Sequence, residues 1–499
     1  MKRILTIFLI VIMVSSIFTG IIFFSENMSA ATNVSGSISV NTTWTAINSP
    51  YYVVGDVIVE NGTTLTIEPG VTVKFDGLYS LIVNGTLNAT GTSNLPIVFT
   101  SNKTTPAKGD WNRIRLHGKN NTMHYCEISF GHYALYIMGE NTNNSISHCN
   151  IYDNDSDGIY LKKTTNNTLD NVTVSTSYSN GITLLVSENN IINNSYFENN
   201  RAFGIYLRSS NNNTIINTNV SGNKGGGIEF GLINHNIKIQ NATVFENMDN
   251  GIDLNGNDHI NITDSRIISN DGNGIDFGGP SEHQWIENCT IKDNGESGIY
   301  LQRATFVDII GCNILRNKGS AGIYSDKKVE KINITNSKIW ENSEDGIEIY
   351  EAKYVNISDS NISNNKFNGI NFNGGEIQEK NIIRNCSIAW NGNSGICFYA
   401  YTNSLPLKSN IHYNDIFNNR IFLNNHNGIY FETYTLYYQD DSYSYLQYNY
   451  IYNNTIFLNN QNGIYFKDYS DDYSYNQYNF IYNICIFTLS CNNALLRLS

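Results

Sequence analysis

Asn247-Met248-Asp249-Asn250-Gly251-Ile252-Asp253-Leu254 is answered about 23 residues later by Asn270-Asp271-Gly272-Asn273-Gly274-Ile275-Asp276-Phe277. The Gly-Ile pair stands also at Gly158, Gly181, Gly204, Gly227, Gly298, Gly322, Gly346, Gly369 and Gly395, at intervals of about 23 or 24 residues until the last. Four residues before most of these glycines is an asparagine: Asn154, Asn200, Asn223, Asn294, Asn342, Asn365 and Asn391 join the two quoted, with Ser177 the exception and Asn317 one residue further off. The glycine serves a left-handed or cramped backbone at a corner, and the Ile-x-apolar triplet after it is a strand with alternate side chains buried. One asparagine per repeat at one register can stack along an axis, each amide bonding the next. The reading is an all-β, right-handed, single-stranded parallel β-helix. Helical repeats of this period fail, because Asn, Gly, Thr and Ile fill each unit where Ala, Glu, Lys and Leu faces would be needed. At ~4.8 Å per coil, roughly thirteen Gly-Ile coils make a rod on the order of 60 Å long.

Working outward, residues 117–400 are the regular coils, and residues 32–116 carry alternating strands such as Val71-Thr72-Val73-Lys74-Phe75 without Gly-Ile, read as an N-terminal β cap over the open end of the core. Residues 401–499 hold longer coils, with Gly428 and Gly463 further apart and extra residues expected to leave the stack as loops; the pattern then breaks off within a coil, which reads as a truncated end. Residues 1–31 open Met1-Lys2-Arg3 and run apolar to Phe24, an export signal peptide or, uncleaved, an N-terminal membrane anchor. Asn-x-Ser/Thr sequons are dense, among them Asn33, Asn61, Asn84 and Asn385, in keeping with a secreted or cell-surface glycoprotein. Cys126, Cys149, Cys289, Cys312 and Cys386 share one repeat position and read as small core residues rather than bridges.

The 31 Lys+Arg against 44 Asp+Glu give a net charge of -13 without a basic block, which argues against nucleic acid as a partner and for neutral polymers, cations or basic surfaces.

The stretch Leu65-Thr66-Ile67-Glu68-Pro69-Gly70-Val71, with Pro96-Ile97-Val98-Phe99 and Gly109-Asp110-Trp111, resembles the opening module of archaeal surface β-helix proteins. The coils after it resemble the pectate-lyase-like superfamily of right-handed β-helix repeats, which includes polygalacturonases and NosD-type periplasmic proteins. The resemblance implies the fold and leaves lyases, hydrolases, epimerases, adhesins and scaffolds open. Polygalacturonase-like members pair clustered aspartates with Gly-His-Gly and Arg-Ile-Lys; here Tyr133 follows Gly131-His132 and Arg115 follows Arg113-Ile114, so no catalytic role carries over. NosD-like proteins are associated with copper delivery, but no Met-rich or Cys-His cluster stands here.

The residue after each Gly-Ile should face solvent, giving the column Tyr160, Thr183, Tyr206, Glu229, Asp253, Asp276, Tyr300, Tyr324, Glu348, Asn371, Cys397, Tyr430, Tyr465. Carboxylates on adjacent rungs repel by roughly 1 kcal/mol in water and ~3 near a protein surface. The row Glu229, Asp253 and Asp276 is therefore expected to bind a cation, with calcium the candidate, or to carry raised pKa values. His235, His259 and His283 fall eight or nine residues after their glycines in the same coils. Tyr206 and Tyr300 beside the acids, with Tyr437, Tyr443 and Tyr473 in what looks like a duplicated Tyr-rich insertion, are candidate ligand-binding residues offering flat faces to sugar rings. Two functions remain open: a scaffold binding polysaccharide or a cell-surface protein, and a polysaccharide lyase or glycoside hydrolase using Glu229, Asp253 and Asp276, whose carboxylates would need ~5 to 9 Å separation.

Overall fold

The computed structural model describes residues 31–499 apart from 141, 376, 403–407, 436–442, 470–472, 488–495 and 499. The coils share three short strands, with a fourth added between the first and second from Ala352–Lys353 onward. In one coil the three are Ile159–Lys162, Thr168–Asp170 and Thr173–Ser175, and all three pair in parallel and in register with the next coil, Ile159 opposite Ile182, Thr168 opposite Ile191 and Thr173 opposite Tyr196. The same three columns repeat along the rod, so the solenoid follows from the Gly-Ile period as expected.

The corners are made in an unexpected way. In this coil single residues at positive φ turn the chain at Lys163, Asn166, Asn171 and Thr176, and equivalent positions recur coil after coil. Asparagine and aspartate fill many of them because their short polar side chains tolerate the left-handed region. The glycine of Gly-Ile is not one of these corners. A Cβ on Gly251 would lie 2.5 Å from Ile267 Cγ2, 2.6 Å from the Gly274 carbonyl oxygen and 2.8 Å from Asn270 Nδ2. The glycine is needed because neighbouring coils touch there, not because of its φ.

The asparagines form the predicted ladder. The Nδ2 of Asn200 donates to Asn223 Oδ1 at 3.0 Å, and the chain of amides continues through Asn247, Asn270, Asn294, Asn317, Asn342, Asn365, Asn391 and Asn424 to Asn459. Asn317 keeps its rung despite its offset from Gly322, with bonds of 2.9 Å and 3.1 Å on its two sides. A second ladder, unremarked in the sequence, links Asn121, Asn144, Asn167, Asn190 and Asn213 at the entrance to the second strand. Each neutral bond is worth about 1 kcal/mol net, but stranding a buried amide costs more. Inside, the cysteine column is buried and its thiols are free, as expected.

Two boundaries differ from expectation. Residues 32–116 are themselves coils of the stack: Val57–Val59 pair with Leu81–Val83, these with Ile114–Leu116, and these with Leu135–Ile137. Toward the other end, the described part of the added length is strand rather than loop. Ile396–Thr402 lies beside Ile429–Thr435, and Lys408–His412 beside Tyr443–Gln447, itself beside Tyr473–Gln477, so the first strand lengthens and an additional strand ahead of the second forms with it a two-layered fin in which Ala400, Ser409, Thr433 and Ser444 are buried.

Candidate functional site

The outward column of the first strand forms one unbroken line. Arg115 pairs with Tyr136, Tyr136 with Tyr160, and the register runs through Thr183, Tyr206, Glu229, Asp253, Asp276, Tyr300, Tyr324, Glu348, Asn371, Cys397 and Tyr430 to Tyr465. In-register pairing therefore brings Glu229, Asp253 and Asp276 together on consecutive coils.

Their surroundings are not equal. Asp253 Oδ1 accepts from the Asn255 backbone at 2.8 Å and Asp276 Oδ1 from the Gly278 backbone at 2.7 Å. The Nδ2 of Asn250 lies 3.2 Å from both Asp253 Oδ2 and Asp276 Oδ2, and Asn273 Nδ2 gives Asp276 a further bond of 3.0 Å. Glu229 accepts no hydrogen bond from any described residue. Where other coils place Asn250 or Asn273 before the Gly-Ile pair, its own coil has Gly226. The Tyr206 ring leans over that coil: a Cβ on Gly231 would lie 2.7 Å from its hydroxyl. Phe203 lies alongside Tyr206, ring centroids 5.9 Å apart.

Burial first, then the charges of Asp253, Asp249 and Asp276, push Glu229 up to about 8. Burial and the Asp276 charge raise Asp253 only to about 6, because the Asn255 and Asn250 hydrogen bonds favour its ionised form. Asp276 is raised by burial against its own three hydrogen bonds. Near neutrality the row thus holds a protonated Glu229 beside an ionised Asp253, a division of roles that only unequal environments give to adjacent carboxyls. Asn250, Asn273 and Asp249 were missed in the sequence because the position before Gly-Ile varies from coil to coil. A second acid pair was missed too. Asp345, only 5% exposed, is pushed by burial up to about 7 and accepts 2.8 Å from Asn371 Nδ2, with Glu348 of the outward column also raised by burial.

The histidines do not join the acids. His259 and His283 are left-handed corner residues opening the second strand, their rings 4.9 Å apart, with Phe306 stacked 4.8 Å from His283. His235 is out of that column: it pairs with Asp258, and Asn236 takes the corner. Among the described residues no three His, Cys, Asp or Glu side chains converge on a point that could hold a metal ion; the three acids lie in a row instead.

Several tyrosines of the first-strand column and of the fin stack on one another. Tyr136 stacks on Tyr160 at 5.1 Å and 15°, Tyr300 on Tyr324 at 5.5 Å and 18°, and Tyr445 on Tyr475 at 5.0 Å and 7°. A ladder of this kind turns ring faces toward each other along the axis and ring edges with their hydroxyls outward. Tyr300 is the last ring of its pair, so its other face looks along the axis toward the Asp276 coil. Tyr443 lies in the fin, 6.2 Å from Tyr445. Tyr437 and the side chain of Tyr473 lie outside the described residues.

No curated protein sequence matches the chain. Among solved structures, it is similar to a mutant of the periplasmic alginate epimerase AlgG (TM-score 0.37, 11% identity, covering 62% of this chain and 80% of that one). It is also similar to pectate lyase Pel9A (TM-score 0.32, 18% identity, 54% and 71%) and to the A-module of the Azotobacter vinelandii mannuronan C-5 epimerase AlgE4 (TM-score 0.26, 12% identity, 89% and 89%). A family model described as "Right handed beta helix region" matches residues 82–232, 230–375 and 321–496, nearly the whole of the stack, and the chain belongs to that family.

Proposed function

We propose that this is an exported β-helix scaffold that holds a polysaccharide along the outward column of its first strand. The observation that carries the reading is the continuity of that column from Arg115 to Tyr465, one side chain per coil in unbroken register. It sets phenol edges, carboxylates and amides in a straight line repeating every ~4.8 Å. A linear, hydroxyl-rich polymer offers donors and acceptors at similar short repeats and can meet such a line coil by coil, whereas a compact ligand can use only a few rungs. Export rests on the apolar segment of residues 4–24 and on the sequons. A cell-surface protein seated on the Tyr-rich fin is the other partner compatible with a scaffold.

One observation favours a second reading, cleavage of the bound polymer. Glu229, held near 8, can donate a proton to a leaving oxygen while Asp253, held near 6, acts as base or nucleophile. Neighbouring coils supply the short carboxyl separation a retaining hydrolase uses, and a lyase needs the same base. Asp253 and Asp276 would be the residues to hold a calcium ion, whose charge would favour their ionised forms.

The test is binding and product formation by the purified chain over neutral and acidic polysaccharides, with and without calcium, beside Glu229→Gln, Asp253→Asn and the Glu229/Asp253/Asp276 triple alanine. The scaffold reading expects binding weakened at least severalfold in the triple variant and no product. Product abolished in Glu229→Gln while binding persists establishes cleavage. A triple variant that binds every polymer as the parent does removes the column from consideration.

A further inference from the structure

Far from the acids, the strand Arg113–Leu116 points Arg113 and Arg115 to the outside, and His117 follows on the same face. Three potential cations in alternate positions of one strand are unusual in a chain of net charge -13. Among the described residues neither arginine forms an ion pair. The Arg113 guanidinium sits 4.8 Å from the centroid of Tyr133 and 5.0 Å from that of Tyr136, and its Nε donates to Asn112 Oδ1 at 2.9 Å. Arg115 Nη2 reaches only the sulfur of Met138, at 3.4 Å, and its Nε is buried without any hydrogen-bond partner. Asp157, near Tyr160, accepts 2.9 Å from the Asn180 backbone instead of turning to the arginines. Burial of His117 and the Arg115 charge beside it both favour its neutral form, so the arginines supply the charge and the imidazole an N–H. Beyond His117 the same face opens into a groove of about 510 Å³ lined by Asn61, Asn84, Thr86, Lys119 and Asn120.

We propose that Arg113, Arg115 and His117 form a site for an oxyanion, a carboxylate or sulfate group, carried by a saccharide that enters the column at this end. The planar forks of two arginines that form no ion pair match the paired oxygens of either group. Tyr133 and Tyr136 pack the guanidinium of Arg113, and Tyr160 backs both rings. The site deepens the polysaccharide reading but does not need it, since a small anion can occupy it alone.

The test uses the full chain with dextran, carboxymethyl-dextran and dextran sulfate of equal length, and with inorganic sulfate read by tyrosine fluorescence. The overall negative charge repels the two anionic polymers, so tighter binding than dextran requires a local site. At least tenfold preference for one or both anionic dextrans is expected, with the better of the two naming the group. The preference should vanish in Arg113→Ala/Arg115→Ala, persist in part in Arg113→Lys/Arg115→Lys, which serves as the folding control, and be unchanged in Lys327→Ala/Lys328→Ala, two lysines that line a separate groove with Arg303 and Glu330. Dextran bound as well as its anionic forms, or a preference that survives the double alanine, overturns the proposal. If no polymer binds but inorganic sulfate perturbs the parent and not the double alanine, the polysaccharide reading falls and the anion site stands.

Discussion

In the middle of the rod the asparagine ladder steps 23 to 26 residues from coil to coil, and in the fin it steps 33 to 35. The cross-section of the core does not register the difference. Asn391, Asn424 and Asn459 bond at 2.9 Å and 3.0 Å, as Asn223, Asn247 and Asn270 do at 2.9 Å. A Cβ on Gly428 would meet Ile456, the Gly463 carbonyl oxygen and Asn459 at 2.5, 2.6 and 2.9 Å, almost the distances found at Gly251. All the growth is taken up at the corner between the first and second strands. The two regions part company in their charges. In the fin Glu432 is matched, 2.6 Å from Lys467 Nζ and 2.6 Å from the Tyr430 hydroxyl. In the middle, the acids of the same face stand rung on rung without a cation. The stack itself does not impose unpaired carboxylates, so those at Glu229, Asp253 and Asp276 are a local departure that the fold tolerates at a cost.

That contrast is open to attack at three levels. The largest effect is expected at the inter-coil contact. Gly251→Val and Gly428→Val both drive a side chain into a neighbouring backbone carbonyl, and each should cost more than about 3 kcal/mol, seen as loss of the cooperative thermal transition. If the fin tolerates valine, its coils are less tightly stacked than the middle ones. Next, Asn270→Ala and Asn424→Ala each strand a buried amide above and a carbonyl below, for about 2 to 4 kcal/mol in urea unfolding. Equal costs would show one ladder running through both regions.

The smallest effects carry the sharpest contrast, because the same substitution should have opposite signs. The folded-state pKa of Glu229 lies at about 8 against an ordinary 4.5, so the folded protein holds this proton more firmly than the unfolded one, and stability falls as pH rises from about 4.5 to about 8. Glu229→Gln should remove that slope and stabilise the protein by about 2 kcal/mol at pH 8.5. Glu432→Gln should destabilise by about 0.5 to 1 kcal/mol through loss of the Lys467 partner, and less at high salt. Denaturant midpoints at pH 5 and pH 8.5 check both; a destabilising Glu229→Gln at pH 8.5 would mean the acid row is compensated by something other than its neighbours.

The fold was legible wherever one residue type recurs at one register. Gly-Ile marks the coil contact, the asparagine before it marks the ladder, and the outward column follows from strand alternation alone, so Glu229, Asp253 and Asp276 meet where they were placed. What could not be read depends on where a coil hides its extra residue. The coil opening at Gly227 has one more residue than its predecessor ahead of the second strand, which moves the left-handed corner from the counted His235 to Asn236. The second asparagine ladder stops after Asn213, where Ile237 and Ile260 take its place before Gln284, while Asn234 and Asn257 continue the neighbouring column of Ser187 and Ser210. The division between Glu229 and Asp253 was beyond reach, because it is set by which residue precedes Gly-Ile, Gly226 or Asn250, and by the lean of Tyr206, neither of which the repeat dictates. The stacking of tyrosines one coil apart, such as Tyr300 on Tyr324, also went unread, although aromatic side chains at the same register of adjacent coils are expected to meet.

The corner between the first and second strands, which absorbs ten or so extra residues in the fin without disturbing the ladder, makes the rod a graduated ruler. A peptide spliced in at Val186, another at the equivalent corner of any later coil, would be carried at a separation set by the number of coils between them, ~4.8 Å for each. Spacing between displayed groups then becomes a quantity written by counting repeats, independent of what is displayed.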